Sequence, residues 1–335
     1  MRAIVLVGGF GTRLRPLTLA TPKQMLPIVD RPMIERVVEH LGAHGVTDAI
    51  LSLGYRPDAF IDAYPDDVCA DVKLHYAVEP EPLDTAGAVR FAAVNAGIDS
   101  RFLVVNGDVL TDLDIGALWK LHADTGAEGT IALTPVDDPS RYGVVPIDDQ
   151  GRVEAFIEKP TPGEAPTHWI NAGTYVLEPS IVDRIPAGGK VSIERSTFPA
   201  MVDDASLFAY RSGAYWVDAG TPATYRQVQL DLIDGRRGDA ERAVAASAKL
   251  ATGAHVEHSV LMAGVEVAAG ARIEGSIVLP GASVAADAIV RDSIVGPGAV
   301  VGPGALIDEL SVLGDGVTIE AGESLRGARL PESDA

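Results

Sequence analysis

Ala3-Ile4-Val5-Leu6-Val7-Gly8-Gly9-Phe10-Gly11-Thr12-Arg13-Leu14-Arg15-Pro16-Leu17-Thr18, with Thr21-Pro22-Lys23 just beyond, is the stretch on which the fold turns. Residues 3–7 read as a buried strand, far too short for a signal peptide or a membrane span. The glycines that follow let backbone amides approach a ligand closely. This is not a dinucleotide fingerprint, because Leu14 stands where a third glycine is needed, and no Gly-Lys-Ser/Thr follows as in an NTPase phosphate loop. The chemistry still suits phosphate: arginine presents a planar fork of donors, and lysine adds a point charge.

Charge sharpens this reading. The 335 residues hold 47 acidic and 27 basic side chains, a net charge of −20, yet none of the first 29 is Asp or Glu. A basic island in an acidic chain is a place for an anionic ligand, whereas a broad nucleic-acid-binding face is excluded. A solvated polar loop is the plain alternative on charge alone. With 47% hydrophobic residues, the chain can bury a sizeable core. The single cysteine, Cys69, excludes an internal disulfide framework and points to a reducing, cytoplasmic setting.

Outward from the opening strand, apolar β-rich segments alternate with helical patterns. Met33, Ile34, Val37, Val38 and Leu41 mark one face of a helix starting at Pro32. Strands are expected at residues 49–53, 72–78 and 102–105, with an alanine-rich helix around 85–96. This alternation predicts an α/β, Rossmann-like domain with a mostly parallel mixed sheet. Ligands in such sheets bind beyond the carboxyl ends of the strands, so the loops after residues 7 and 105 are the places to search. Segments 143–147, 152–158 and 169–177 read as further strands, less obviously parallel, and a helix near 222–234 closes the domain.

From about residue 250 the texture changes. Ile289, Val295, Val301, Ile307, Leu313, Ile319 and Leu325 recur at a step of six, and Leu261, Val267, Ile273 and Leu279 repeat the step in another phase. That period predicts a left-handed parallel β-helix of hexapeptide repeats, with a loop or irregular corner where the phase breaks between 279 and 289. The expected division is 1–235 catalytic, 236–250 linker and 251–330 β-helix. The helix's flat sides and exposed coil end suit assembly or regulation, so a homo-oligomer is expected.

Gly-Gly-x-Gly-Thr-Arg-Leu-x-Pro-Leu-Thr with the later Pro-Lys resembles the signature of the sugar-1-phosphate nucleotidyltransferases. Further landmarks follow in order: Asn106-Gly107-Asp108, Tyr142-Gly143-Val144-Val145, Glu158-Lys159-Pro160, Asn171-Ala172-Gly173 and Trp216-Val217-Asp218-Ala219-Gly220-Thr221. Val191-Ser192-Ile193-Glu194-Arg195, Phe198-Pro199 and Glu81-Pro82-Leu83 before Thr85-Ala86-Gly87 are most similar to the mannose-1-phosphate guanylyltransferase branch.

The resemblance implies transfer of a nucleotidyl group from an NTP, GTP favoured, to a sugar-1-phosphate, mannose-1-phosphate favoured, with release of pyrophosphate. It implies a nucleotide loop of Gly8, Gly9, Gly11 and Thr12, with Arg13 on the departing pyrophosphate and Lys23 on phosphates near the reacting centre. Asp108 and Asp218 would hold Mg²⁺, an ion that takes one or two protein carboxylates plus phosphate oxygens and water. Gly143, Glu158, Lys159 and Asn171 would take the sugar phosphate. Glu79, Asp84 and Gly87 fall in the region implied to bind the base. The family usually has glycine at position 84; here an aspartate either reads the two donors of guanine or caps the following helix.

Three other readings were open. Acyltransferases use β-helices, but such sites usually need a histidine on the coil, and His255 and His258 both precede the regular repeats. A catalytically silent regulatory subunit would be favoured by loss of Arg13, Lys23, Asp108 or Asp218, all of which are present. Glucose-1-phosphate with dTTP or UTP is the alternative substrate pair, on a faint resemblance over residues 23–34 to the thymidylyltransferase branch.

Overall fold

The computed structural model describes residues 1–332. Compactness groups the chain differently from its linear order. One unit comprises residues 1–9 and 35–216; the other joins residues 10–34 to those from 217 onward.

The first unit is built on a ten-stranded sheet. Its centre is Arg2–Leu6, paired in parallel with Asp48–Leu53 on one side and Phe102–Asn106 on the other. Val72–Val78 extends the parallel half beyond Asp48–Leu53. Trp169–Leu177 runs antiparallel to Phe102–Asn106 and to Gly129–Pro135, giving the mixed half. The central strands are apolar on both faces (Ala3, Ile4 and Val5 are fully buried) because both faces are covered. The helix Asp84–Asn95 lays Ala86, Val89, Ala92 and Ala93 into the core that holds Ile4, Ile50 and Val104. Its small side chains let the helix axis lie close to the sheet.

Two sequence expectations shift. The first helix spans Met33–Ala43, and Pro32 sits instead in a short antiparallel pair, Pro27–Ile28 with Arg31–Pro32. Of segments 143–147 and 152–158, only Gly143–Val144 and Ile157–Glu158 form strands. Between them Asp148 turns the chain by accepting the amides of Gln150 and Arg152, with Gly151 at φ +82°, and Pro146 has no N–H to give a ladder.

In the second unit, three sheets of five parallel strands form a left-handed parallel β-helix. Val260 pairs with Ile277, and Ile277 with Ile294, so an early coil is 17 residues rather than three hexads. The short side resolves the phase break. Val278 and Val290 occupy the inward positions in the core with Leu261, Val267, Ile273, Val284 and Val295, while Ile289 is half-exposed. There is no loop between 279 and 289. A single left-handed residue makes the short corner in four coils, His258, Gly275, Asp292 and Gly327; between the last two, Glu309 and Leu310 both have positive φ and add one residue. That insertion is why the step of six then runs unbroken. Serines line the same corner: Ser276 N donates to Ser259 Oγ at 3.0 Å and Ser293 N to Ser276 Oγ at 3.1 Å. Each buried hydroxyl thereby satisfies an amide of the next coil. His255, in a strand paired with Arg272–Glu274, and His258 thus lie on the coil and not before its repeats.

Among the described residues, no helix is long and apolar enough to cross a membrane.

Candidate functional site

The carboxyl end of the central strand meets two constraints at once. A Cβ on Gly54 would lie 2.9 Å from the Gly8 carbonyl oxygen, and one on Gly8 would lie 3.2 Å from Glu79 Oε1. Both residues must be small for the loop to lie flat. Glu79 accepts Ser52 Oγ at 3.0 Å through Oε1 and Leu83 N at 3.1 Å through Oε2. It therefore ties the strand Asp48–Leu53 to the 83–87 segment beside the glycine loop, a holding role that composition does not reveal. Gly9 differs: among the described residues no atom lies within 4 Å of a Cβ built there, so none of them demands a glycine.

Asp84 has φ +60°, a left-handed conformation that glycine adopts freely and aspartate tolerates. Its Oδ1 accepts only the adjacent Thr85 amide, at 2.8 Å. The first amides of the helix go elsewhere: Ala86 N and Gly87 N both donate to the Val191 carbonyl, at 2.8 and 3.2 Å. The helix cap is thus supplied by a distant loop, and Asp84 does not perform it. Gly87 is required because a Cβ would meet the Gly189 carbonyl oxygen at 2.9 Å. Thr85 Oγ1 donates to Glu194 Oε2 at 2.7 Å and accepts Ile193 N at 2.8 Å. Thr85 and Glu194 are framework residues of this loop, a pairing across 109 positions that no local sequence signal announces.

Asp108 follows Phe102–Asn106, whose end crosses the opening strand: Gly107 N donates to Leu6 O at 2.9 Å. A Cβ on Gly107 would lie 2.5 Å from Val7 Cγ1. Close crossing of the two strand ends therefore sets the place of Asp108 beside the residue 7–9 loop. Asn171 lies at an irregularity in the pairing of Trp169–Leu177 with Gly129–Pro135. Its Oδ1 accepts Gly173 N at 2.9 Å and its Nδ2 donates to the Tyr175 hydroxyl at 2.8 Å. Burial, reinforced by the charge of Glu194, pushes the Tyr175 hydroxyl far up, so it stays protonated. Trp216 Nε1 donates to Ala172 O at 2.9 Å, and the Tyr142 ring stands edge-on to Trp216.

Gly143 pairs opposite Glu158. A Cβ there would collide with the Phe156 ring at 2.7 Å, so this glycine makes room for an aromatic packing partner. Lys159 Nζ lies 3.1 Å from Glu158 Oε1, and Lys159 has φ +49°.

In the second unit, Gly11 (φ +63°) opens a single 3₁₀ turn, Thr12–Leu14. Thr18 Oγ1 donates to Gly11 O at 2.8 Å, and a Cβ on Gly11 would lie 3.2 Å from that of Lys23. Buried Leu14 anchors the turn while Arg13 is 61% exposed, its Nη2 standing 3.7 Å from Asp218 Oδ2. Asp218 Oδ1 accepts Gly220 N at 2.8 Å, which fixes the carboxylate. A Cβ on Gly220 would meet Arg13 Nη2 at 2.6 Å, so that glycine leaves space for the guanidinium. Lys23 is only 9% exposed. The segment after it is pinned from the helix Pro222–Ile233, where Tyr225 donates its hydroxyl to Pro27 O and Gln229 Oε1 accepts Val29 N.

The expected residues thus form groups: Gly8 with Glu79; Gly143 with Glu158 and Lys159; Gly11 with Lys23; Arg13 with Asp218. Asp108 lies in the first unit and Asp218 in the second. Among the described residues no three His, Cys, Asp or Glu side chains gather as a metal cage. A Mg²⁺ ion needs only one or two protein carboxylates, and Asp218 is already oriented by the Gly220 amide.

Comparison with known proteins adds the following. The family described as nucleotidyl transferase matches residues 2–235, and the GMPPB C-terminal domain matches residues 240–332. A mannose-1-phosphate guanyltransferase of Emericella nidulans is 45% identical over 231 residues, 67% of this chain and 62% of its own length. A mannose-1-phosphate guanylyltransferase of Mycobacterium tuberculosis is 40% identical over 235 residues, 70% of this chain and 65% of its own. The chain therefore spans less than two thirds of these relatives' lengths. Among solved structures, HddC from Yersinia pseudotuberculosis complexed with GMP-PN is 33% identical with a TM-score of 0.58, over 68% of this chain and 97% of that one.

Proposed function

The chain belongs to the nucleotidyl transferase family, and we propose that it joins GTP to mannose-1-phosphate, giving GDP-mannose and pyrophosphate. An oxygen of the sugar phosphate attacks the α-phosphorus of GTP; the bond to the β-phosphate oxygen breaks, and pyrophosphate leaves with that electron pair. No covalent intermediate with the protein is required, so its work is alignment and neutralisation of charge.

The observation that carries this reading is the Arg13–Asp218–Gly220 arrangement: an exposed guanidinium in a glycine-bounded turn, beside a carboxylate already locked by a backbone amide. Arg13 holds the leaving pyrophosphate, and Lys23 neutralises phosphate oxygens near the reacting centre. Gly8, Gly9, Gly11 and Thr12 form the nucleotide loop. The open space around Gly9 supports close approach of a ligand rather than of protein. Asp108 and Asp218 would hold Mg²⁺, which would supply positive charge to the phosphate oxygens.

Glu158, Lys159, Asn171 and the backbone at Gly143 take the sugar phosphate. Glu79 and Gly87 shape the base loop, and Asp84 reads guanine there; its left-handed backbone and the cap supplied by Val191 favour a reading role over a capping one. The guanylyltransferase names of both relatives and the GMP-PN complex of HddC support the choice of base. We infer a cytoplasmic enzyme that assembles through its β-helix; the exposed Leu250 and Val300 on one side of the coil support the assembly.

Pyrophosphate release measured for GTP, ATP, UTP and dTTP, each with mannose-, glucose- and N-acetylglucosamine-1-phosphate, tests the proposal. GTP with mannose-1-phosphate is expected to turn over fastest. A preference for dTTP or UTP with glucose-1-phosphate replaces the substrate assignment, and no turnover with any pair leaves a silent regulatory subunit. An Asp84→Gly variant with unchanged base preference removes the role given to Asp84.

A further inference from the structure

The last coil of the β-helix touches the arginine turn. Arg329 Nη1 donates to the Arg13 carbonyl oxygen at 3.2 Å, joining residues 316 positions apart. A second contact lies alongside. A Cβ built on Gly314 would lie 3.1 Å from Pro16 Cβ, 3.1 Å from Pro331 Cδ and 3.2 Å from Leu330 O. Gly314 is not among the residues with positive φ. Its backbone does not ask for glycine; the joint closeness of Pro16 and of Leu330 and Pro331 in the last coil does.

The two sides of this contact differ in stiffness. Arg329 opens the strand Arg329–Leu330, registered on Val312–Leu313, with Leu313 buried in the coil's core. The Arg13 side is one 3₁₀ turn with no side-chain cap. Such turns are short and poorly bonded, and they take their geometry from their surroundings. The Arg13 side chain leaves that turn toward Asp218. The direction in which it leaves follows from where the carbonyl of the same residue is held.

We propose that Arg329 is a positioning residue for Arg13. The terminal coil, through the Arg329 bond and the Gly314–Pro16 contact, orients the turn so that the guanidinium meets the departing pyrophosphate. The inference rests on the phosphate role given to Arg13 above. It gives the coil a part in turnover, because misplacing a substrate-positioning group by about 1 Å can lower the rate by roughly a hundredfold.

The test is a double-mutant cycle in the full-length protein, run with the fastest substrate pair of the panel above. Arg13→Ala is expected to lower kcat by roughly a hundredfold, as for loss of one pre-placed electrostatic group. Arg329→Ala is expected to lower kcat by about tenfold, with the KM for the sugar phosphate within about twofold, because the turn is misaligned rather than lost. Arg329→Lys should recover part of that loss, since an ammonium can also donate to a carbonyl. Gly314→Ala, whose Cβ would crowd Pro16 and the Leu330–Pro331 backbone together, should reproduce the defect.

The double variant Arg13→Ala/Arg329→Ala should be no slower than Arg13→Ala, because a positioning residue has nothing left to position. A merely structural role for Arg329 would multiply the two losses, and that outcome overturns the inference. So do Arg329→Ala and Gly314→Ala variants that both keep normal kcat while Arg13→Ala is disabled; the phosphate role of Arg13 then stands. Near-normal turnover of Arg13→Ala is a different failure, removing the role of Arg13 and the inference with it.

Discussion

Both units turn parallel strands with glycine, yet the glycines answer to different forces. In the β-helix they serve dihedral angles. Gly253, Gly270, Gly304 and Gly322 have positive φ, and so does Asp287 at the equivalent corner; the short corner accepts His258, Asp292, Glu309 and Leu310. Stacked neighbours hold each turn in place, so a residue that dislikes the left-handed region is still carried through it. In the first unit the crucial glycines serve space. Gly8, Gly54 and Gly107 do not have positive φ, and each faces an atom of another segment that a side chain would strike or crowd. Repetition makes one set exchangeable, and unique crossings make the other set singular. The residues proposed to bind substrate sit where the structure offers no second copy.

The largest effects should follow from removing charges that have no duplicate. Lys23→Ala, Asp108→Asn and Asp218→Asn are each expected to lower kcat by roughly a hundredfold or more, with little change in unfolding temperature. Steady-state kinetics beside thermal unfolding checks this. A variant that keeps near-normal turnover loses its assigned role.

The contrast between crowding and dihedral strain can be measured directly. Gly107→Ala puts a Cβ 2.5 Å from Val7 Cγ1 in a backbone any residue accepts; overpacking of this kind costs about 2 kcal/mol. Turnover should fall as well, because Asp108 is the next residue. Gly304→Ala has open space but φ +66°, a penalty of about 1 kcal/mol, and kcat should not change. Gly304→Asn should lose less than Gly304→Ala, since a short polar side chain tolerates the left-handed region. Trp119, Trp169 and Trp216, the chain's three tryptophans, all lie in the first unit. Tryptophan emission therefore follows Gly107→Ala, while circular dichroism follows both. Equal losses for Gly304→Ala and Gly304→Asn would mean that the corner resists bulk and not angle.

What the sequence made legible divides along the same line. Signals repeated locally were readable: the opening strand, the helix at 84–95 and the β-helix all stand close to where periodicity put them. The 17-residue coil was half legible, because inward aliphatics advertise their spacing but a five-residue side looks like a broken phase. Residues whose roles depend on distant neighbours were not readable. Nothing near Gly143 announces Phe156 as its reason, and nothing near Glu79 announces Ser52 and Leu83 as its donors. Residues 10–34 belong to the second unit, and contacts there such as Arg329 with Arg13 join positions that no window of sequence contains.

The smallest expected effect concerns how each unit buries polar groups. The coil buries Ser259, Ser276, Ser293 and Ser311, hydroxyls that stay neutral at any working pH. The first unit buries His122, whose Nδ1 lies 2.8 Å from Thr130 Oγ1 and whose Nε2 lies 3.2 Å from Glu178 Oε1. Burial lowers the His122 pKa, and the nearby Arg101 charge adds to this; Glu178 offsets only part of it. Above the unfolded value of about 6.5 the ring is neutral in both states and contributes no slope. Below it the unfolded chain takes up a proton that the folded protein resists, so stability falls as pH drops toward the lowered folded value. The slope from one such group cannot exceed about 1.4 kcal/mol per pH unit. Denaturant unfolding followed by tryptophan emission at pH 8, 6.5 and 5.5 should show this loss in the parent protein and a flatter profile in His122→Gln. Parallel profiles for the two proteins would mean that Glu178 compensates burial fully, and that the first unit buries its polar groups as neutrally as the coil does.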